Sequence, residues 1–249
     1  LDESDSSYNE LLEKGFIYEG DADIYIEKHK DSLRDIKSYL LDATSLHIFV
    51  LTNECNARCV YCQAQSEASH RKGLMDADTA KKAVALAFQS PEPFLSIEFQ
   101  GGEPLLNFAT IQVIIAEAEK KALETHKKVE FSLVSNLTLL NDEMIAFLQE
   151  HKVNVSTSID GPMALHNTNR PLCQGGGTYG GTIRGLKRLQ EANVCVGAIE
   201  TTTRYSFKYW KELVNEYRNL GLHNIFLRPL TPLGFANADW AKIGYTADE

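Results

Sequence analysis

Three cysteines fall within eight residues, Cys55, Cys59 and Cys62 in "CNARCVYC". Thiolates bind zinc or iron, and the spacing C-x3-C-x2-C sets all three on one tight turn. A closed structural zinc site takes four ligands. His70, Cys173 and Cys195 are the candidates for a fourth, but none has companion spacing. Cys195, within "NVCVGA", reads as a buried, inert thiol, and Cys173 as a free thiol in a loop. The better fit is a four-iron, four-sulfur cluster held at three corners, with its fourth iron open to a small molecule.

Such a loop needs a scaffold, and from residue 46 onward the chain alternates between strand-like and helical runs. Strands are predicted at 46–52, 94–100, 129–135, 153–160, 193–203 and 224–230. Helices are predicted at 75–89, about 107–125, 141–151, 182–192 and 207–221, with Asp76 placed to cap the first. This order implies βα units and a parallel sheet. Six strands are too few for a closed eight-stranded barrel, so the fold class is α/β, an open partial (β/α)6 TIM-like barrel. Its site belongs at the C-terminal ends of the strands, and the unusual loops obey that rule. The cysteines follow the first strand, Gly101-Gly102-Glu103-Pro104 the second, Ser135-Asn136 close the third, and Ser158-Ile159-Asp160-Gly161 close the fourth. Asp160 reads as the cap of the turn before Pro162. The glycines of 175–181 lack a phosphate-binding spacing and read as a flexible loop.

Residues 1–45 form an acidic extension, 46–236 the core, and 237–249 the start of a C-terminal extension or linker. In the extension, "YNELLEKGFI" and "SLRDIKSYLL" are predicted as two short helices bracketing "DADIYIEK". Eleven Asp/Glu against four Lys/Arg within residues 1–35 mark a solvated leader or a docking surface for a basic segment. The net charge of −9 argues against a nucleic-acid or anionic-membrane partner. No run approaches the roughly 18 apolar residues of a membrane span, and the acidic N-terminus is no secretory signal. Five cysteines, three of them crowded, suit a reducing compartment, so a cytoplasmic protein is expected.

The cysteine loop, with aromatic Tyr61 before its last cysteine and "FQGGEP" after the second strand, resembles the signature of the radical S-adenosylmethionine superfamily. The resemblance implies an open iron chelated by S-adenosylmethionine, one-electron cleavage of the sulfonium, and a 5′-deoxyadenosyl radical that takes hydrogen from an unactivated carbon. It implies Cys55, Cys59 and Cys62 as cluster ligands, with Tyr61 beside the cofactor. Gly101 and Gly102 would give it close backbone approach, and Glu103 would accept from its ammonium. Gln100 belongs to the same motif in peptide-modifying members. Ser135-Asn136 resembles the element bordering the cofactor, with Leu137 in place of a glycine.

"SIDGPMALHNTNR" is similar to the corresponding segment of SPASM-type sulfatase and peptide maturases, among them the His-Xaa-Ser-type maturases of ribosomally made peptides. There Ser158 would bond the ribose and Arg170 the cofactor carboxylate. "RPLTPLG" resembles the stretch bordering the adenine, without a role for Arg228. Those relatives carry further cysteines and auxiliary clusters in a C-terminal domain, which here would have to lie beyond residue 249. The chain is accordingly read as a core-domain fragment. The implied partners are a precursor peptide and a low-potential flavodoxin- or ferredoxin-type electron donor. The expected outcome is hydrogen abstraction from the peptide, leading to a crosslink, thioether or related change. The alternatives are a formylglycine-generating sulfatase maturase and, in another class, a non-catalytic metal-binding scaffold.

Overall fold

The computed structural model describes residues 7–14, 16–36, 43–64, 73–246 and 248–249. His70 and the end of the second predicted N-terminal helix lie outside them. The chain divides into two compact units, Leu1–Thr44 and Ser45–Glu249. Residues 237–249, expected to open an extension or linker, fall within the second unit.

In the first unit, helices α1 (Tyr8–Glu13) and α2 (Ala22–Ile36) are found. The segment "DADIYIEK" opens α2 instead of separating two helices. Asp21 explains the difference, because its carboxylate accepts from the backbone N–H groups of Asp23 at 2.9 Å and Ile24 at 3.1 Å. An Asp so placed satisfies the orphan donors of a helix start, which the alternating pattern in the sequence concealed.

The second unit is built on six parallel strands in sequence order: β1 (Leu46–Val50), β2 (Phe94–Gln100), β3 (Lys128–Val134), β4 (Asn154–Ser158), β5 (Val196–Thr202) and β6 (Phe226–Pro229). In a doubly wound sheet the strand order reverses and helices cover both faces. Here the order never reverses, so right-handed crossovers leave every helix on one face, and the sheet curls into a half-barrel. Alternation makes one face apolar: Leu95, Ile97 and Phe99 of β2 are fully buried, with Leu133 of β3. They pack under α3 (Ala77–Ala87), α4 (Phe108–Thr125) and α5 (Asp142–Glu150). The other face is open, and Leu46, Ile48 and Val50 of β1 are each about half exposed there (48%, 51% and 50%). Asp76 and Asn141 cap α3 and α5 by accepting from Thr79 N at 2.7 Å and Met144 N at 2.8 Å.

One helix appears that was not predicted, and two predicted ones shift. A helix α6 (Met163–Asn169) follows β4 where no helix was expected. Helix α7 (Tyr179–Glu191) starts before residue 182, taking Gly180 and Gly181 into its first turn. A Cβ on Gly181 would stand 2.9 Å from Thr138 Cγ2, so that part of the glycine run is helix contact instead of loop. Before α8 (Trp210–Asn219), residues Arg204–Tyr209 form a 3-10 turn, set by a reciprocal cap between Thr203 and Ser206. After β6, α9 (Phe235–Ala238) and α10 (Trp240–Ile243) form a small second core with Leu230. Cys195, expected to be buried, is exposed, because it precedes β5 on the side of the open face. No helix among the described residues is long and apolar enough to cross a membrane.

Candidate active site

The cysteine loop leaves the end of β1 and is tied down on three sides. From the segment after β2, Gly102 N donates to Thr52 O and Glu103 N to Glu54 O, each at 2.8 Å. From the segment after α6, Arg58 N donates to Pro171 O at 2.8 Å, Val60 N to Asn169 O at 2.9 Å, and Cys173 N to Asn56 O at 2.9 Å. From the C-terminal side, Phe235 N donates to Cys62 O at 3.1 Å, while Val60 and Tyr61 pack on the core of Leu230, Ala236 and Ile243. Backbone bonds to distant segments hold a loop that has no regular structure of its own.

The glycines serve this clamping. A Cβ on Gly101 would lie 2.3 Å from Thr52 O, and one on Gly102 would lie 2.2 Å from Glu54 O and 3.1 Å from Cys55 Cβ. Gly101 also takes φ +150°, in the region that favours glycine. The close approach expected toward a ligand is thus made first of all to the cysteine loop.

Glu103 lies behind that clamp with 1% of its surface exposed. Its carboxylate accepts from Ser135 Oγ at 2.8 Å, Asn136 N at 2.8 Å and Leu105 N at 3.1 Å. Burial pushes its pKa up, against these three donors. A carboxylate has about four lone-pair directions, so about one remains for a further donor. Ser135 and Asn136 are therefore the groups that aim Glu103. Asn136 Nδ2 also donates to Asn56 Oδ1 at 2.8 Å, reaching the cysteine loop. Leu137 takes a left-handed backbone at φ +63°, a conformation that favours glycine, and is 1% exposed. Burying its side chain offsets a backbone strain of about 1–2 kcal/mol.

Tyr61 and Arg170 meet directly: Arg170 Nη1 donates to Tyr61 Oη at 2.6 Å, and Tyr61 Oη donates to Asp160 Oδ2 at 2.6 Å. Asp160 is fully buried, and its Oδ1 also accepts from Thr201 N at 3.3 Å. It does not cap the turn before Pro162 as its place in the sequence suggested; it is the acceptor at the end of a relay. Burial raises its pKa, against the Arg170 charge and the Tyr61 bond. For Arg170, burial works downward, but its interactions with Cys59, Tyr61 and the Asp160 carboxylate prevail and the net shift is up. Beside them His166, 0% exposed, is driven to a pKa of about 3 by burial and by Arg170, so it is neutral. Thr178 Oγ1 donates to Arg170 O at 2.8 Å and lies 2.9 Å from His166 Nε2. With its one proton committed, Thr178 accepts from Nε2–H, which leaves Nδ1 to face Asp160 N.

Ser158 and Gln100 stand apart from these networks, on the open face. Gln100 donates to Glu98, and Ser158 Oγ makes no hydrogen bond among the described residues. The sequence missed Asp160, His166 and the Phe235 segment. The first two carry one signal, an aspartate just after β4 and a histidine six residues on in α6, and the third carries none.

The three thiols form a donor set that fits an iron–sulfur cluster: soft ligands on one loop, each partly buried. Burial first, then Glu103, Cys59 and Cys62, push the Cys55 pKa up to about 12. Metal binding must therefore release protons. Among the described residues no three His, Cys, Asp or Glu converge as placed on a single metal ion. Cys173 Sγ is directed at Cys55 O, 3.5 Å away, and is exposed.

On the far side of β5, Glu200 is 0% exposed and accepts from Thr202 Oγ1 at 2.6 Å and Ser206 Oγ at 3.1 Å. Burial, aided by Asp160, raises its pKa to about 7. A carboxyl raised in the fold contributes stability below its unfolded pKa and loses it as pH climbs through the folded one. Glu200→Gln is thus expected to gain on the wild type by about 2–3 kcal/mol between pH 5 and pH 8, read from urea unfolding. A constant difference across that range would contradict the assignment.

Residues 49–203 match the model of a family described as the radical SAM superfamily. The cysteine-type anaerobic sulfatase-maturating enzyme of Clostridium perfringens (strain 13 / Type A) is 28% identical over 207 residues, which are 74% of this chain and 56% of that one. The radical SAM cyclopropyl synthase TigE of Paramaledivibacter caminithermalis is 29% identical over 236 residues, 87% of this chain and 48% of that one. Among solved structures, native anSMEcpe with bound AdoMet superposes with a TM-score of 0.70 at 24% identity, covering 75% of this chain and 51% of that one. Streptococcus suis SuiB bound to precursor peptide SuiA superposes at 0.60 and 15% identity, covering 89% and 50%. The chain thus spans about half the length of these relatives.

Proposed function

Since this chain belongs to the radical SAM superfamily, we propose that it is the core of an enzyme that generates a 5′-deoxyadenosyl radical and takes hydrogen from a residue of a ribosomally made precursor peptide. Cys55, Cys59 and Cys62 would hold a [4Fe–4S] cluster, and Glu103, Ser158 and Arg170 would take the ammonium, ribose and carboxylate of S-adenosylmethionine. When bound, the two groups supply one electron and an organic radical. The rest belongs to the protein. Ser135 and Asn136 hold the Glu103 carboxylate in a single orientation, and Asp160 with Tyr61 holds Arg170. The Gly101–Gly102 clamp and the Phe235 segment fix the cysteine loop in place.

The observation that carries this reading is the clamping of a three-cysteine loop against a buried, triply bonded Glu103 at the C-terminal rim of an open half-barrel. Peptide-bound structures of SuiB and of anSMEcpe support a peptide as substrate. Electrons would come from a flavodoxin- or ferredoxin-type donor. The similarity to sulfatase-maturating enzymes supports a second reading, oxidation of a Cys or Ser to formylglycine.

Anaerobic reconstitution with iron and sulfide, followed by dithionite and S-adenosylmethionine, is expected to yield 5′-deoxyadenosine. A protein that holds the cluster and yields none would sink the proposal. Mass spectrometry of a modified peptide then separates a crosslink between two residues from a two-electron change on one side chain.

A further inference from the structure

The open face of the half-barrel is the side from which a substrate can reach the cysteine loop, because helices cover the other. Its floor and its lips differ in chemistry. The lips are apolar: Ile48 and Val50 on β1 are 51% and 50% exposed, and Phe226 on β6 is 62% exposed. The floor is polar, and one row across it reads Ile48, Glu98, Ser132, Asn154 by strand register.

Glu98 is the half-buried carboxylate of that row, and no cation is paired with it among the described residues. It is half-buried, between an aliphatic side chain on β1 and Ser132 on β3. Its carboxylate accepts from Ser132 Oγ at 3.3 Å and from the Gln100 amide, both neutral donors. Among the described residues no Lys, Arg or His lies within ion-pair distance of it, whereas nine other carboxylate–base pairs form elsewhere. Further from the rim, Lys128 and Glu130 on β3 are both exposed. A partly desolvated carboxylate with two neutral donors keeps about half of its lone-pair capacity. Its strongest available partner is a cationic donor supplied from outside. It sits two residues before Gln100, about 7 Å along the strand, so it is close to the rim where the reacting residue must sit.

We propose that Glu98 is a specificity-determining residue that selects peptides carrying a lysine or arginine beside the residue that reacts. The stem of such a side chain would lie along Ile48 and its charged head would reach Glu98, as long basic side chains do on mixed surfaces. This rests on the peptide-modifying reading above.

The test keeps the two apart. A pool of random synthetic decapeptides is equilibrated with the reconstituted protein, and the bound fraction is sequenced by mass spectrometry. The wild type is expected to enrich Lys and Arg at least threefold, Glu98→Gln to lose that enrichment, and Glu98→Lys to favour Asp and Glu. Unchanged enrichment in Glu98→Gln, or none in the wild type, overturns the inference. 5′-Deoxyadenosine formation without peptide is measured in parallel and reads only the chemistry. Cation selection without it would keep the groove and discard the radical reading.

Discussion

Gly102→Ala is expected to lose the iron–sulfur cluster while keeping most of the fold. The added methyl would stand 2.2 Å from Glu54 O and 2.6 Å from Glu54 C, and both are backbone atoms that cannot rotate away. Restoring van der Waals distance moves Glu54 and Cys55 by about 1 Å relative to β2. That movement breaks the bond from Glu103 N to Glu54 O and detaches Glu103 from the loop it faces. A displacement of this size costs about 100-fold in rate where reacting groups must be held in register. The cost in stability is smaller, about 1–3 kcal/mol, because the clash lies at the rim and not within the apolar layer. Iron per chain after reconstitution and the rate of 5′-deoxyadenosine formation report the first effect, and the thermal midpoint reports the second. Gly73→Ala is the control, since nothing lies within 4 Å of its added methyl. Full cluster content in Gly102→Ala would show that the loop is not held by this contact.

The parallel sheet was legible because each buried strand face alternates without interruption, as in "FLSIEFQ", and because caps such as Asp76 and Asn141 sit where helices begin. The three cysteines stood out by type and spacing, whereas Glu103 and Arg170 stood out only through the resemblance of the motifs that carry them. What the spacing could not show is which group each one touches. Tyr61 and Arg170 are 109 residues apart, and their bond exists only because α6 returns the chain to the cysteine loop. That helix escaped notice because it is short and opens on Pro162 with no side-chain cap. Asp160 shares its local pattern with an ordinary turn aspartate, and only tertiary burial separates the two. The segment from Leu230 to Tyr245 looks like a tail until its Phe235 N–H is found on Cys62.

Asp160→Asn tests whether that relay holds the site. The substitution keeps the shape and removes the charge, leaving the Arg170 guanidinium beside Tyr61 and Cys59 with its anion gone. Removing one member of a buried charge pair costs about 3–5 kcal/mol; the hydroxyl standing between the two here places the expected loss near 3 kcal/mol. The amide also leaves one acceptor oxygen where Tyr61 Oη and Thr201 N had one each, which loosens the orientation of the turn that carries Cys59 and Cys62. An unbalanced cation near Cys59 favours the more negative, reduced state of the cluster, so its midpoint potential is expected to rise. A purely structural role would lower stability and leave the potential where it was. Combining Asp160→Asn with Arg170→Gln removes the unbalanced charge. The double variant should recover about 1–2 kcal/mol relative to the sum of the single losses. Strict additivity in that cycle, with an unchanged potential in Asp160→Asn, would show that Asp160 and Arg170 act independently.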